Sequence, residues 1–438
     1  MDLPEFVRGA AEEFRVPGVA AGVLLDGTDI YACHGVTSVE NPLPVDPDTL
    51  FLLGSVTKTY TATALVRLAA QRRVDLDAPV REYVTDVPLP GFTVAQLLNH
   101  TAGLDWNVIG DTGDGDDALA RFVARLAAAP LIAEPGARAS YSQGGYNLAG
   151  RVVERVTGQP FERAVAELLL EPIGLAHSSF RPEDVMTRRF AVGHDLREDG
   201  TATLARPWRP GGRGNNPGGG LASSVADQLR WARFHLGDGG GLLPAEALHG
   251  MRRATVPLPG SSLGDALGIC WFLRDIDGAA TIGHGGSSMG QFADLLIVPE
   301  RGFAVVALSN ANPTGTPCNR AIIRWALEHY LGVVERDPQP EPYDAARAGE
   351  VAAVYGNKAM TLTIGADLML DVRIRPEIRA ASEIELPADH EPAPIGLLGG
   401  DNYIVTAGGL QGQRGFFTRD AAGTVTGIDL AGRLFRRE

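Results

Sequence analysis

The chain has 438 residues, 45% of them apolar and 21% charged, and a formal net charge of −14. This is longer than one ordinary core uses, so two domains are expected; no apolar run approaches the roughly 20 residues of a membrane helix, and the acidic balance excludes the clustered Lys and Arg that nucleic-acid binding needs. Cys33, Cys270 and Cys318 are odd in number and far apart, so they read as buried free thiols rather than a disulfide framework or a paired zinc site.

The start, Met1-Asp2-Leu3-Pro4-Glu5, lacks the basic and apolar stretches of a secretory signal, and a cytoplasmic protein is expected. A short helix comes first, then two apolar runs, Val19 to Leu25 and Ile30 to Val36, joined through Asp26-Gly27-Thr28 as a hairpin. After Phe51-Leu52-Leu53-Gly54 the pattern turns helical from Ser55 to about Arg72, with Tyr60, Ala64, Leu65 and Leu68 filling one apolar face. Residues 75–266 read as helices and Gly/Pro-rich loops, with helical stretches near Ala118 to Ala128 and Tyr146 to Leu170. Strand character returns at Gly268 to Leu273, Gln291 to Val298 and Gly302 to Ser309, the last two joined by a Pro299-Glu300-Arg301 turn, and a helix follows from about Asn319 to Leu331.

Strands at both ends of helical material imply an α+β unit, with one antiparallel sheet closed by its first and last segments, flanking helices and an inserted helical subdomain. The charged, proline-rich stretch Arg336 to Pro342 reads as an extended linker. We therefore expect a catalytic domain over 1–335, a linker over 336–344 and a second domain over 345–438. Beyond a short helix near Ala345 to Val354, β-type runs at Met360 to Ile364, Asn402 to Thr406 and Gly415 to Thr418 alternate with Gly and Asp turns, which predicts a small antiparallel β barrel or sandwich.

Chemistry concentrates at Ser55-Val56-Thr57-Lys58. Residues three apart on a helix are neighbours, so the Lys58 amine reaches the Ser55 hydroxyl, which is a weak nucleophile until something accepts its proton. An N-cap serine with a solvated lysine would show the same letters; the apolar surroundings argue instead for a buried Lys58 that has partners. Tyr141-Ser142-Gln143 follows the turn-forming Pro135-Gly136, and a phenol beside an ammonium has its phenolate favoured, which would let Tyr141 carry a proton to and from Ser55. His284-Gly285-Gly286-Ser287 precedes the strand at Gln291; its glycines leave room for a substrate, and the Ser287 amide could join that of Ser55 as an oxyanion hole.

Ser55 to Lys58, Leu97-Leu98-Asn99-His100-Thr101-Ala102-Gly103-Leu104, Tyr141-Ser142-Gln143, Asn216-Pro217-Gly218-Gly219-Gly220-Leu221 and His284-Gly285-Gly286 stand in one order. Together, over about residues 5–331, they resemble the serine β-lactamase and penicillin-binding-protein superfamily. The branch they resemble most holds class C β-lactamases, β-lactamase-fold esterases, D-aminopeptidases and penicillin-binding-protein-type thioesterases. The resemblance implies Ser55 as acylated nucleophile, Lys58 as its proton partner, Tyr141 as general base and acid, His284 as a substrate-facing wall, and the amides of Ser55 and Ser287 as oxyanion hole. It also implies a lipocalin-like form for the C-terminal barrel.

Two departures bear on substrate. Gln143 stands where the family commonly has Asn, one methylene shorter, and His284 stands where β-lactamases and carboxypeptidases carry a lysine that holds a substrate carboxylate. A histidine is largely neutral near pH 7, so ester, amide or thioester substrates are expected over free carboxylates. The expected activity is a serine hydrolase on a small-molecule or peptide substrate, without cofactor or metal. The alternatives are a biosynthetic acyltransferase or peptide cyclase using the same acyl-enzyme, then a β-lactamase or a non-catalytic binding protein. Asp111 to Asp117 lacks the alternation of a calcium loop and is expected to cap the helix at Ala118; Gly211 to Gly220 lacks the ending of a phosphate loop and is expected to shape the cleft rim. His100 reads as a structural histidine and not a metal ligand, and Trp106 and Trp271 as packing or pocket-lining residues.

Overall fold

A computed structural model describes residues 1–105, 111–197, 199–209, 211–381, 389 and 391–438; Trp106 lies outside them. Helix α1 (Leu3–Glu13) begins at Asp2, whose carboxylate accepts from the Glu5 amide. The expected hairpin forms from β1 (Gly18–Leu25) and β2 (Thr28–Gly35), its turn made by Asp26 and Gly27, both at positive φ.

The central helix α2 (Thr57–Ala70) follows a short 3₁₀ turn over Gly54–Val56 and is buried almost all round. Its threonines tolerate burial because their hydroxyls find carbonyls: Thr59 donates to Val56 O, Thr61 to Pro217 O and Thr63 to Thr59 O. The middle of the chain supplies α3 (Ala118–Ala127), α4 (Gln143–Thr157) and α5 (Val225–Leu236). The helical stretch expected over Tyr146 to Leu170 is two pieces, because Gly158 ends α4 in the left-handed conformation and Pro160 precedes a new start at Phe161.

Five further strands complete the sheet: β3 (Val256–Pro257), β4 (Ala266–Leu267), β5 (Phe272–Ile276), β6 (Ala279–Ser288) and β7 (Gln291–Val298), with β8 (Phe303–Ser309) returning beside β1. The order is β2-β1-β8-β7-β6-β5-β4-β3, antiparallel throughout, and Val19 lies opposite Ser309. First and last segments of the unit thus close one sheet. The run Gly268 to Leu273, expected as one strand, is interrupted: Cys270 has a positive φ and its amide donates to Leu98 O, so β4 ends before it and β5 begins after it. A core of α2, α4, α5 and Trp231 fills one face of the sheet; α1 and α6 (Gly315–Leu331) cover the other.

Residues 332–344 carry no helix or strand, and Arg274 and Arg324 pair with Glu335 while Arg320 and Arg324 pair with Asp337. After α7 (Ala345–Val351), eight strands run up and down from Ala353 to Arg437 and close into a barrel, its first strand pairing with its last through Tyr355 and Arg437. Tyr355, Tyr403, Phe417 and Phe435 fill its interior. Closure removes the exposed edges that an open sheet of this size would present.

Candidate active site

Ser55 lies in the 3₁₀ turn that feeds α2, and two glycines set its surroundings. Gly54 is at φ +50°, and a Cβ there would lie 2.5 Å from the backbone of Ser287; a Cβ on Gly286 would lie 2.1 Å from Leu53 O and 2.6 Å from the Ser55 amide. Strand β6 and the Ser55 turn therefore touch backbone to backbone, which only residues without side chains permit. His284 to Ser287, expected just before a strand, lie within β6 itself and pair with β7, His284 opposite Leu295 and Gly286 opposite Ala293, beyond the point at Gly283 where the β5 pairing ends.

Lys58 Nζ donates to Ser55 Oγ at 3.0 Å, to Gln143 Oε1 at 2.6 Å and to the Gly218 carbonyl at 2.7 Å. The three contacts match the three donors of an ammonium; a neutral amine has two, and the Ser55 hydroxyl then donates to Nζ instead. The side chain is fully buried, and burial pushes the amine well below its ordinary range, with the nearby Arg433 acting in the same direction and Cys270 against it. Gln143 thus keeps the amide contact that its extra length put in question, because Gly218 makes room: a Cβ on Gly218 would meet the Gln143 side chain at 2.1 Å. The Gly211 to Gly220 stretch reaches beyond the rim, to the floor beneath Lys58.

Tyr141 is 6% exposed; its ring centroid is 4.9 Å from Lys58 Nζ, and its side chain is hydrogen-bonded with Ser55. Burial raises its phenol well above the ordinary value, while the Ser55 contact and the Arg433 charge pull it down. The phenolate anticipated from a neighbouring ammonium is therefore not the resting form; the neutral phenol is. Ser142 caps α4 through its hydroxyl, which accepts from the Gly145 amide and donates to Asp105 O, and this fixes the direction in which Tyr141 and Gln143 leave the helix start.

Two histidines wall the site. His284 is buried and pushed down to about 3, chiefly by burial and then by Lys58, so it is neutral at physiological pH; its Nδ1 meets the Gly285 carbonyl at 2.7 Å and its ring lies against Phe272. His100 accepts the Ser142 amide at Nδ1 and packs on Tyr141 and Tyr146, so it supports the backbone next to Tyr141 and the tyrosine's ring. No cluster of three or more His, Cys, Asp or Glu suited to a metal occurs among the described residues.

The acidic loop 111–117 does not cap α3 as expected: Asp117 makes no cap hydrogen bond and pairs with Arg121 one turn on, while Asp114 and Asp116 hold Arg209 and Arg213. Trp271 is fully buried against His235 and belongs to the core, not to a pocket. Cys270 and Cys318 are buried and Cys33 is partly buried, all as free thiols. Sequence reasoning missed the Gly218 carbonyl and the barrel's approach to Tyr141, whose amide donates to Gly432 O at 2.7 Å and whose ring lies 5.0 Å from Arg433 Cζ. The first was signalled by Asn216-Pro217-Gly218-Gly219; the second left no local signal.

Residues 3–328 match the protein family described as Beta-lactamase. The chain is 35% identical over 358 residues to penicillin-binding protein 4 of Amycolatopsis lactamdurans, covering 76% of this chain and 92% of that protein. It is 36% identical over 204 residues to esterase EstB of Burkholderia gladioli, covering 42% of this chain and 51% of the esterase. Among solved structures, SurE superimposes over 100% of this chain and 98% of its own with a TM-score of 0.78 and 28% identity. A class C beta lactamase from Rhodobacter sphaeroides shares the fold over 74% of this chain and 99% of its own, with a TM-score of 0.61 and 23% identity.

Proposed function

The chain belongs to the beta-lactamase family, whose members are serine hydrolases or acyltransferases, and from that premise we propose that it is a serine hydrolase forming an acyl-enzyme on Ser55 with an ester, amide or peptide substrate. The observation that carries this reading is the buried Lys58 amine 3.0 Å from Ser55 Oγ, with the Tyr141 phenol on the same hydroxyl. Neutral Lys58 takes the Ser55 proton as Oγ attacks the carbonyl carbon. The amides of Ser55 and Ser287 receive the developing oxyanion. Tyr141 gives its proton to the leaving alcohol or amine and regains one from the Lys58 ammonium; water then enters on the same path and releases the acid. His284, neutral and apolar-walled, forms a side of the pocket that suits an uncharged carbonyl group. The division into a catalytic unit over 1–335, a linker over 336–344 and a barrel unit over 345–438 is part of this proposal.

A second reading keeps the acyl-enzyme and passes the acyl group to an amine. One observation favours it: the likeness to SurE spans the whole chain, barrel included, and one SurE crystal structure holds D-Leu, an amino acid. On that reading a D-residue beside the reacting carbonyl, or an amino acid as acceptor, is the feature to test first.

Labelling with a fluorophosphonate and mapping the adduct by mass tests the first step. The expected result is a single adduct on Ser55 and loss of both label and activated-ester turnover in S55A; an adduct elsewhere, or full turnover in S55A, refutes the proposal. Supplying amines with the ester then separates the two readings by whether acid or amide accumulates.

A further inference from the structure

The barrel's last hairpin meets residues 1–335 at several points, among them Arg436, whose guanidinium donates to Ile132 O, and Tyr141. Gly432 O accepts the Tyr141 amide at 2.7 Å, and Leu434 N approaches Ser140 Oγ at 3.4 Å, so two adjacent residues of the catalytic unit are bracketed by the hairpin. Gly432 fits because it has no side chain: a Cβ there would lie 2.0 Å from Leu263. Between these two backbone contacts the Arg433 guanidinium lies over the Tyr141 ring, 5.0 Å from its centroid and within cation–π range. Lys58 Nζ is 4.9 Å from the same ring's centroid. Ser262 Oγ and Arg414 O, 2.9 Å apart, tie the hairpin's neighbourhood to the loop before β4.

We propose that Arg433 is a positioning residue of the catalytic centre, holding the Tyr141 ring against Ser55 and lending the centre a fixed positive charge that comes from the barrel. This rests on the roles given above to Ser55, Lys58 and Tyr141. The groups that face Tyr141 are Lys58 from α2, His100 from the turn before the tyrosine, Tyr146 from α4, Cys270 from the turn before β5, His284 from β6, and Asp429 with Arg433 from the barrel. Of the nitrogen groups among these, burial pushes Lys58 and His100 well below their ordinary values and His284 down to about 3, whereas a guanidinium keeps its charge through the physiological range. Asp429, buried one hairpin turn away, takes hydrogen bonds from the Gly432 backbone and the Ser261 side chain, and burial pushes its carboxyl up to about 7, so it offsets the guanidinium only on the alkaline side of neutrality.

The sign follows from the charge. Arg433 lowers the proton affinity of both Lys58 and Tyr141. Without it both groups hold their protons more tightly, so Lys58, which receives the Ser55 proton, becomes competent only at higher pH. The acidic limb of the acylation rate must then move upward in pH.

The experiment measures burst acylation by p-nitrophenyl acetate against pH for wild type, R433K, R433Q and R433M, after fluorophosphonate mapping and thermal melting of each. The neutral variant that melts with wild type is the one read, and two are made so that one poor replacement does not decide the outcome. We expect its acidic limb to shift up by about one pH unit, with a rate near neutrality lower by ~10-fold, while R433K keeps the wild-type limb. An unshifted limb in a folded neutral variant overturns the inference, as does an equal shift in R433K, because the effect would then be packing and not charge. Unfolding of both neutral variants while R433K stays folded with a shifted limb overturns it likewise, and with an unshifted limb supports it. If wild type is not labelled on Ser55, the functional reading itself fails, an outcome visible before any Arg433 variant is compared.

Discussion

Gln143 and Gly218 form a pair in which length on one side is matched by the lack of a side chain on the other. The Gln143 carbonyl oxygen is 2.6 Å from Lys58 Nζ, and the space for its extra methylene is the space a Cβ on residue 218 would occupy. A G218A substitution should therefore push the glutamine off the amine, and loss of one hydrogen bond to a group that becomes charged in the reaction costs about 1.5–3 kcal/mol, or on the order of tenfold or more in acylation rate. Shortening the partner in the double variant Q143N/G218A should restore part of that loss, since the smaller amide fits beside the new methyl group. Steady-state kinetics of the two variants check this, and a double variant as slow as G218A would contradict it. Ser55 and Lys58 were legible from spacing because a helix turns three residues into neighbours whatever the tertiary context. The fit of Gln143 was not, because it depends on a residue that is 75 positions away along the chain and meets it only after folding.

At the level of elements, reading the sequence worked where the signal was local. The β1–β2 and β7–β8 hairpins announce themselves by turn residues between apolar runs, and the structure has both. Strand β6 was hidden for the opposite reason: Gly283, Gly285 and Gly286 dilute its β character, and it is a strand because β5 and β7 hold it on either side. Those glycines are what let it lie against the Ser55 turn. G286A places a methyl group 2.1 Å from Leu53 O, so we expect β6 to move away from the nucleophile and the oxyanion site to open. Removing one oxyanion donor lowers turnover by about 10²–10³-fold, and G286A should fall in that range while fluorophosphonate labelling slows in parallel. Normal labelling with normal turnover would mean that the strand and the turn do not need this contact.

For the whole molecule, the β-rich tail announced a barrel, and the structure closes one, yet nothing local indicated that the barrel reaches Tyr141. The contact joins Ser140 and Tyr141 to residues 432–434, which no periodicity links. It also adjoins a small apolar cluster of Tyr141, Leu258, Leu267 and Phe272, against which Leu263, the neighbour of Gly432, packs. A chain ending at residue 335 should expose that cluster, bind an apolar fluorescent dye more strongly than the full chain, and turn over the activated ester more slowly. Full activity in the shortened chain would show that the barrel serves something other than this centre.

The sheet carries a temporal implication as well. β1 has β8 as its inner neighbour, and the Gly18 amide is hydrogen-bonded to an Asn310 side chain 292 positions away. A polypeptide leaving the ribosome builds the nucleophile's helix early, yet the β-platform it leans on stays incomplete until the eighth strand arrives. Pairings this remote in sequence are slow to find one another. The reactive alcohol should consequently be inert through most of synthesis and switch on only as the platform knits shut, which spares the cell a half-made acylating agent.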